Sequence, residues 1–599
     1  MSKSFLDSHN NIVNQALRGV VRLSPHLALD TKDKIVYRKS LLEPPSAPKV
    51  LLLSGGGAGH EPAHCGYIGM GMLDVAVSGN VFASPSASQV LKALRAFPSS
   101  QGILIIAKNY TGDVLSFGLA AEKAKAEGLK CKLLMVGDDV SISRQSGIKV
   151  GRRGLAGIVL VHKIAGAAAT SGEDLESVYK VASSVASNLA TTAVSLDRCH
   201  VPGRKPDSKE TAIGSRELEY GVGIHNEPGV LRAPLQSLPI TICQLLKSLL
   251  DMEDTTRAFV DFRRGDDVAL LINNLGGLSV LELHVILDEA VTQMGSVYGI
   301  HPKRIFLGTY VSSVNGSGFS LTLLKLEMGM LPLLDAATNA QSWTPNIRPD
   351  HNAQISLAEL RPKTNKAELA NLWVDPEMFI KVLTEISRGI AEDEPAITYF
   401  DTIAGDGDCG ETLLAGSKVM EEGVCNGSID TEDLISGLST ISRLVEGSMG
   451  GTSGAIYSIY LNALIYNLDS LVRSSWASQT RLETRKILIA ASSRALSKLY
   501  NYTRARVGDR TMMDVLIPFI ESVVSEPESL GKAVDAAEAG ANSTKRMKAS
   551  FGRATYVDES VFLKGSNAYM SNGDDGGIPD AGALGLLSIF KSILRAIEP

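Results

Sequence analysis

The sequence predicts a multidomain protein, an α/β half followed by an all-helical half, and three observations predict it. At 599 residues the chain is too long for a single hydrophobic core. Between about residues 50 and 335, short apolar runs alternate with glycine turns and helical stretches, the pattern of α/β architecture. From about Trp373 onward, apolar residues recur at helical spacing with almost no strand-like alternation.

Taken in order, Val50–Leu53, Gly102–Ala107, Cys131–Val136 and Ile158–Val161 read as buried strands, with helices over Gln89–Phe97 and Phe117–Gly128 between them. The pattern restarts near residue 250, which divides the first half into two α/β subdomains. In the second, Val268–Ile272 runs into Asn273-Asn274-Leu275-Gly276-Gly277, then a helix from about Leu278 to Met294 and strands over Arg304–Val311 and Gly318–Leu324. Residues 336–372 lose this periodicity and collect Pro345, Pro349 and Pro362 among polar residues, as a linker does. The expected organisation is therefore 1–335, a linker over 336–372, and a helical domain over 373–599.

Composition narrows the function classes. Hydrophobic residues make up 44% and charged residues 21%, and a net charge of −6 argues against a non-specific nucleic-acid binder. The six cysteines are scattered without a Cys-x-x-Cys pair, which reads as reduced and intracellular. The start has no apolar signal core, and no segment approaches the ~20 apolar residues of a membrane span. A cytoplasmic protein with no membrane and no nucleic-acid partner is expected.

The most informative stretch is Val50-Leu51-Leu52-Leu53-Ser54-Gly55-Gly56-Gly57-Ala58-Gly59-His60-Glu61-Pro62-Ala63-His64. It contains His-Glu-x-x-His, the zinc-protease pattern, whose histidines must sit one helical turn apart. Pro62 between them and the glycines before them rule out that helix. The residues describe instead a buried strand entering a glycine loop that brings bare backbone and His60 to a small polar ligand. Position 60 also breaks a Rossmann Gly-x-Gly-x-x-Gly, and no P-loop occurs. Lys108-Asn109-Tyr110-Thr111-Gly112-Asp113 places Lys108 and Asp113 just past another strand, where ligands gather in open α/β sheets; a turn with a solvated lysine and capping aspartate is the alternative. Gly223-Ile224-His225-Asn226-Glu227-Pro228-Gly229 carries a third histidine, in a faint echo of His60-Glu61-Pro62, which on its own reads more readily as a hydrogen-bonded core histidine than as a functional one.

In the second half, Asp401-Thr402-Ile403-Ala404-Gly405-Asp406-Gly407-Asp408-Cys409-Gly410 can turn three carboxylates, Asp401, Asp406 and Asp408, on a hard cation. It is not an EF-hand, because Thr412 or Ser417 stands where the bidentate Glu is needed. Gly450-Gly451-Thr452-Ser453-Gly454 opens a helix, and free N–H groups there suit a phosphate. Together they suggest a magnesium–nucleotide site without a P-loop.

These motifs, with Val150-Gly151-Arg152-Arg153-Gly154-Leu155 and Gly508-Asp509-Arg510-Thr511-Met512, fall in the order found in one family: from about residue 50 onward the chain resembles the single-chain ATP-dependent dihydroxyacetone kinases. The resemblance implies a substrate domain of two α/β subdomains, a C-terminal barrel of antiparallel helices carrying ATP and Mg2+, and a homodimer. It further implies that His225 bonds covalently to the substrate carbonyl carbon as a hemiaminal. Gly56, Gly57, Ala58, Gly59, His60, Lys108 and Asp113 would hold the sugar, with His60 and Asp113 managing the proton of the attacking hydroxyl and Lys108 stabilising charge. Asp401, Asp406 and Asp408 match the magnesium ligands. Asp406, Gly407, Asp408, Cys409, Thr452, Ser453, Thr511, Met512, Asp580, Ala581 and Gly582 match the nucleotide-binding segments. The family usually has Asp-Pro-Gly-Ala where this chain has Asp580-Ala581-Gly582-Ala583, so a less rigid loop is expected there, after a polar insertion over Ser571–Gly577.

The implied reaction is phosphorylation of dihydroxyacetone, and of glyceraldehyde as a second carbonyl substrate, with the covalent bond fixing the distant hydroxyl for in-line attack. An imidazole nucleophile works only when neutral, so the rate is expected to fall in mild acid. Two alternatives stay open from sequence: cleavage of FAD to a cyclic flavin phosphate at the same nucleotide site, and a catalytically idle regulatory binding protein.

Overall fold

The computed structural model describes the chain except residues 1–5, 7–10, 44–47, 146–148, 203–211, 345–368, 475–480, 559, 562–576 and 599. It divides into two compact units, Met1–Ser356 and Leu357–Pro599. Most of the expected linker, and residues 571–576 of the expected insertion, lie outside the described residues.

The first unit is built on two six-stranded sheets. The first comprises β1 (Leu27–Asp30), β2 (Ile35–Arg38), β3 (Leu51–Ala58), β4 (Val75–Val81), β5 (Ile103–Lys108) and β6 (Cys131–Val136), in the order β1-β2-β4-β3-β5-β6. Its β4-β3-β5-β6 core is parallel. The second comprises β7 (Leu189–Ser195), β8 (Glu217–Tyr220), β9 (Leu231–Pro234), β10 (Val268–Asn274), β11 (Arg304–Gly308) and β12 (Gly318–Lys325), in the order β11-β10-β12-β7-β8-β9. Only its β10–β11 pair is parallel. Because β7, β8 and β9 belong to this sheet, the division expected near residue 250 falls inside it. Those strands are short or polar and carry no restart of the glycine-and-helix rhythm, which is why the break was placed too late.

The helices of this unit are α1 (Ile12–Leu23), α2 (Ala87–Ala96), α3 (Thr111–Ala126), α4 (Ile158–Thr170), α5 (Leu175–Ser187), α6 (Leu238–Leu250), α7 (Val280–Gln293) and α8 (Met330–Asp335). Helices α2 and α7 start at capping boxes, Ser86 with Gln89 and Ser279 with Glu282. The strand expected over Ile158–Val161 is the first turn of α4. A short apolar run does not separate a buried strand from a buried helix, and here Ala165–Ala169 continue it at full burial. Helix α4 packs on β3 and β5 within a core that also takes Leu189, Ala193, Leu271 and Leu324 from the second sheet.

Among its described residues the second unit is helical: α9 (Pro376–Ala404), α10 (Cys409–Cys425), α11 (Leu434–Ser448), α12 (Gly451–Ser474), α13 (Arg481–Leu499), α14 (Met513–Ser525), α15 (Leu530–Ser543) and α16 (Ala581–Ile597). Each packs on the next, and α16 returns against α9, so the helices close a ring. Where the connection is short, as over 405–408 between α9 and α10, it sets neighbours antiparallel. Asp580-Ala581-Gly582-Ala583 is not a loop but the start of α16: the Asp580 carboxylate accepts the Ala583 N–H at 2.9 Å. The expected loss of rigidity at Ala581 is offset by this cap, since Ala581 stands at a helix position where proline is merely favoured.

Candidate active site

Strand β3 continues through the glycines as far as Ala58, so the expected loop is mostly strand. The missing side chains let other groups approach. A Cβ on Gly56 would lie 3.2 Å from Lys108 Nζ, 3.6 Å from His64 Nε2 and 3.7 Å from Asp113 Oδ2. At Gly59, φ is +96° and a Cβ would meet the Phe82 ring at 2.7 Å. The segment after Gly59 is a turn, not a zinc-binding helix. It is stitched to the second sheet: the Ser312 N–H donates to the His60 carbonyl at 3.2 Å, and the Val314 N–H to the Gly59 carbonyl at 2.9 Å.

His60, His225, Lys108 and Asp113 converge on this floor. His225, in the loop between β8 and β9, places Nε2 2.9 Å from His60 Nε2. Its Nδ1 lies 3.0 Å from Glu227 Oε1, while Glu227 Oε2 accepts the His225 backbone N–H at 2.7 Å. An ionised carboxylate only accepts, so Glu227 holds a ring proton on Nδ1 and turns Nε2 toward His60. Burial pushes the Glu227 carboxyl up, but bonding to His225 overrides it and brings it down to about 2. Gly223 makes room, since a Cβ there would lie 2.1 Å from Glu227 Oε2. Asn226, at φ +65°, ties the loop to Cys199 through its side-chain amide, donating to the Cys199 carbonyl and accepting its N–H, each at 2.9 Å.

His60 is fully buried, its Nδ1 2.9 Å from the Ser312 carbonyl. Burial first, then the charges of Lys108 and His225, hold its ring well below the ordinary imidazole value. Phe82 stacks on it with centroids 5.2 Å apart, and the Tyr110 ring meets His225 edge-on at 4.5 Å. Lys108 is buried at the end of β5, and desolvation lowers its pKa against the opposing pull of Asp113 and Glu61. Asp113, in the first turn of α3, is raised by burial and pulled back by Lys108; its Oδ1 is buried and makes no hydrogen bond among the described residues. A nucleophilic imidazole, a buried cation and a desolvated carboxylate around a backbone floor can bind a small hydroxylated carbonyl compound and remove a hydroxyl proton.

The echo between the two histidine motifs is structural. Glu61 accepts the Gly59 N–H at 2.9 Å just as Glu227 accepts the His225 N–H, each glutamate closing a turn on the residue two positions before it. Sequence reasoning quoted Glu227 and Tyr110 without giving them roles and missed Phe82 and Ser312. For Glu227 a signal existed, a carboxylate two residues beyond the histidine. Phe82 and Ser312 arrive through long-range packing and carry none.

The second unit holds another site. Asp401 on α9 and Asp406 and Asp408 in the α9–α10 connection bring one carboxylate oxygen each within 4.8 Å of one another. Gly405 lets the Asp401 side chain turn back, a Cβ there lying 2.3 Å from its Oδ1, and Asp401 Oδ2 accepts the Cys409 N–H at 3.0 Å. This all-oxygen donor set fits Mg2+. The aspartates line a cavity of about 370 Å³ with Cys409, Thr452, Ser453, Thr511, Met512, Asp580, Ala581 and Gly582. Gly407 is the one expected nucleotide-segment residue that does not line it; φ of +79° at Gly407 instead turns the chain between the aspartates. Thr452 and Ser453 sit in the first turn of α12, and buried Asp514 holds the loop before α14 by accepting the N–H groups of Gly508 at 2.6 Å and Thr511 at 2.8 Å. Burial raises Asp580 to about 6. Arg510, Thr503 and Phe551 also line the cavity and were not singled out from sequence.

Comparison with known proteins identifies the family. Residues 18–342 match the Dak1 domain and residues 403–595 the DAK2 domain. The chain is 42% identical to dihydroxyacetone kinase 2 of Saccharomyces cerevisiae, covering all of both chains, and 36% identical to the triokinase/FMN cyclase of Rattus norvegicus over 100% of this chain and 99% of the relative. The crystal structure of the C. freundii dihydroxyacetone kinase in complex with AMP-PNP and Mg2+ is similar at a TM-score of 0.63 and 30% identity, over 99% of this chain and 100% of that one. The chain belongs to the dihydroxyacetone kinase family, in its single-chain form.

Proposed function

We propose that this protein transfers the terminal phosphate of ATP to a hydroxyl of dihydroxyacetone, and to D-glyceraldehyde as a second substrate. The observation that carries the reading is the His225 ring, tied by Glu227 on one nitrogen and meeting His60 Nε2 with the other, close to Lys108 and Asp113. In this reading His225 Nε2 adds to the carbonyl carbon as the C=O π bond opens; the new alkoxide takes up a proton from water and the ring gives up its Nδ1 proton toward Glu227, leaving a neutral hemiaminal. The bond converts loose binding of a three-carbon ketose into one fixed orientation. Asp113, raised by its burial, accepts the proton of the terminal hydroxyl with His60 alongside, and Lys108 balances negative charge. Glycerol has no carbonyl and forms no adduct.

In the helical unit, Asp401, Asp406 and Asp408 would hold Mg2+, which when bound supplies charge neutralisation to the ATP phosphates. Thr452 and Ser453 would offer backbone N–H groups to phosphate at the start of α12, and Thr511, Met512 and the Asp580–Gly582 turn would border the nucleotide. A cytoplasmic homodimer completes the proposal. No helix among the described residues is long and apolar enough to cross a membrane. The name of the rat relative favours one second reading, cyclising cleavage of FAD in the same nucleotide cavity.

The test is turnover of purified protein with MgATP and dihydroxyacetone, coupled to NADH oxidation by glycerol-phosphate dehydrogenase, with glycerol as control. Activity on the ketose alone supports the reading. ATP binding without turnover would overturn it in favour of a regulatory role, and release of cyclic flavin phosphate from FAD would establish the second reading.

A further inference from the structure

The second histidine of the His-Glu-x-x-His pattern, His64, has no part in the site as described, yet it is buried directly behind it. Its Nε2 lies 3.1 Å from Lys108 Nζ. Its Nδ1 lies 3.0 Å from His162 Nε2 on α4 and 3.2 Å from Ser54 Oγ on β3. Ser54 donates its hydroxyl proton to the Ile106 carbonyl at 2.6 Å, so toward His64 it can only accept. His64, His162 and Ser54 are 4%, 0% and 0% exposed. Water therefore does not reach these groups; His64 and Ser54 are paired within the cluster, while His162 Nδ1 makes no hydrogen bond among the described residues.

These bonds have one consistent direction. A lysine ammonium carries three donors and no acceptor. A charged Lys108 thus requires a lone pair on His64 Nε2, which puts the His64 ring proton on Nδ1, facing the two acceptors Ser54 Oγ and His162 Nε2. The opposite tautomer would aim an N–H at the ammonium hydrogens and leave Ser54 without a donor, at a desolvated site where unpaired polar groups are costly. We propose that His64 is a positioning residue, locked by Ser54 and His162 as the Nδ1–H tautomer, whose Nε2 lone pair keeps the Lys108 ammonium charged and aimed across Gly56 at the substrate. This rests on the reading that Lys108 serves the kinase reaction.

The charged and titratable groups facing Lys108 are Asp113 from α3, Glu61, His60 and His64 from the turn after β3, Asp138 after β6, and His162 from α4. Burial already favours the neutral amine. Losing the His64 lone pair removes a bond that is stronger to the ammonium than to the neutral amine. Lys108 then gives up its proton at lower pH, and the basic limb of kcat/KM moves down.

Two measurements on the full chain test this. In 15N-histidine spectra, with His64 assigned by its loss in His64→Gln, the ring is expected neutral with its proton on Nδ1; a proton on Nε2, or a charged ring, overturns the proposal. In pH profiles of kcat/KM, His64→Leu is expected to shift the basic limb down by about one unit, the order set by losing a hydrogen bond to a charged group. His64→Gln, whose side-chain oxygen can accept from Lys108, is expected to restore most of that shift. A limb unmoved in His64→Leu with activity lowered equally at every pH, or a glutamine variant behaving like the leucine one, would reduce His64 to a packing residue. Absent turnover in the wild type counts against the kinase reading and leaves the tautomer to decide this one.

Discussion

His225 and Glu227 form one chemical unit. Replacing His225 by Ala removes the atom proposed to bond the carbonyl, and kcat/KM on dihydroxyacetone is expected to fall by at least about a hundredfold in the NADH-coupled assay. Glu227→Gln is the subtler test, because an amide can offer an N–H to Nδ1 and drive the ring proton to Nε2. A loss of the order of 10³-fold with unchanged circular dichroism is expected, as for other tautomer-setting carboxylates. At this scale the sequence was legible wherever a reactive residue stood beside a glycine or at a strand end, as His60, Lys108 and Asp113 do. It was silent on partners brought in through the fold. Ser312 shows this best, since only a backbone carbonyl is used and its side-chain identity signals nothing.

Among the elements, the turn after β3 and helix α4 carry the unit's acid sensitivity. His60, His64 and His162 are buried and their pKa values are lowered, His162 to about 3, chiefly by desolvation. Their unfolded counterparts titrate near 6.5, so below that pH the unfolded chain binds more protons than the folded one. Stability contributed by these neutral rings is complete above pH 6.5 and is lost as pH falls toward the folded values, by about 1.4 kcal/mol per pH unit for each histidine. Calorimetry between pH 7 and 5 should show the melting temperature dropping, and less steeply in His162→Phe. In the α9–α10 connection, Asp406→Asn removes one of three clustered carboxylates, and the Mg2+ concentration for half-maximal turnover is expected to rise about tenfold or more, with EDTA abolishing wild-type activity. The segments around these elements show what periodicity can and cannot resolve. The strand Cys131–Val136 was read to the residue because turn signals bound it, whereas α4 was misread because an apolar run buried on every side has no period.

On the scale of the molecule, the two units have separate cores and separate sites. The α/β unit alone, through residue 344, is expected to form the tetrahedral adduct without transferring phosphate. Carbonyl-13C dihydroxyacetone should shift from the carbonyl to the tetrahedral range with the fragment but not with its His225→Ala variant. The change from α/β to helix was readable because strand and helix periods differ so widely, whereas the boundary between the two sheets was not, since β7 connects to β10 and β11 only through β12, far along the chain. Order along the chain has a consequence for biosynthesis. Helix α9 packs on α10 but lacks its other neighbour until α16 is made, and Asp580, Ala581 and Gly582 reach the nucleotide cavity only then. A chain emerging from the ribosome therefore completes the proposed carbonyl site around His225 well before the proposed ATP cavity, and no phosphate transfer is expected during translation of the helical ring.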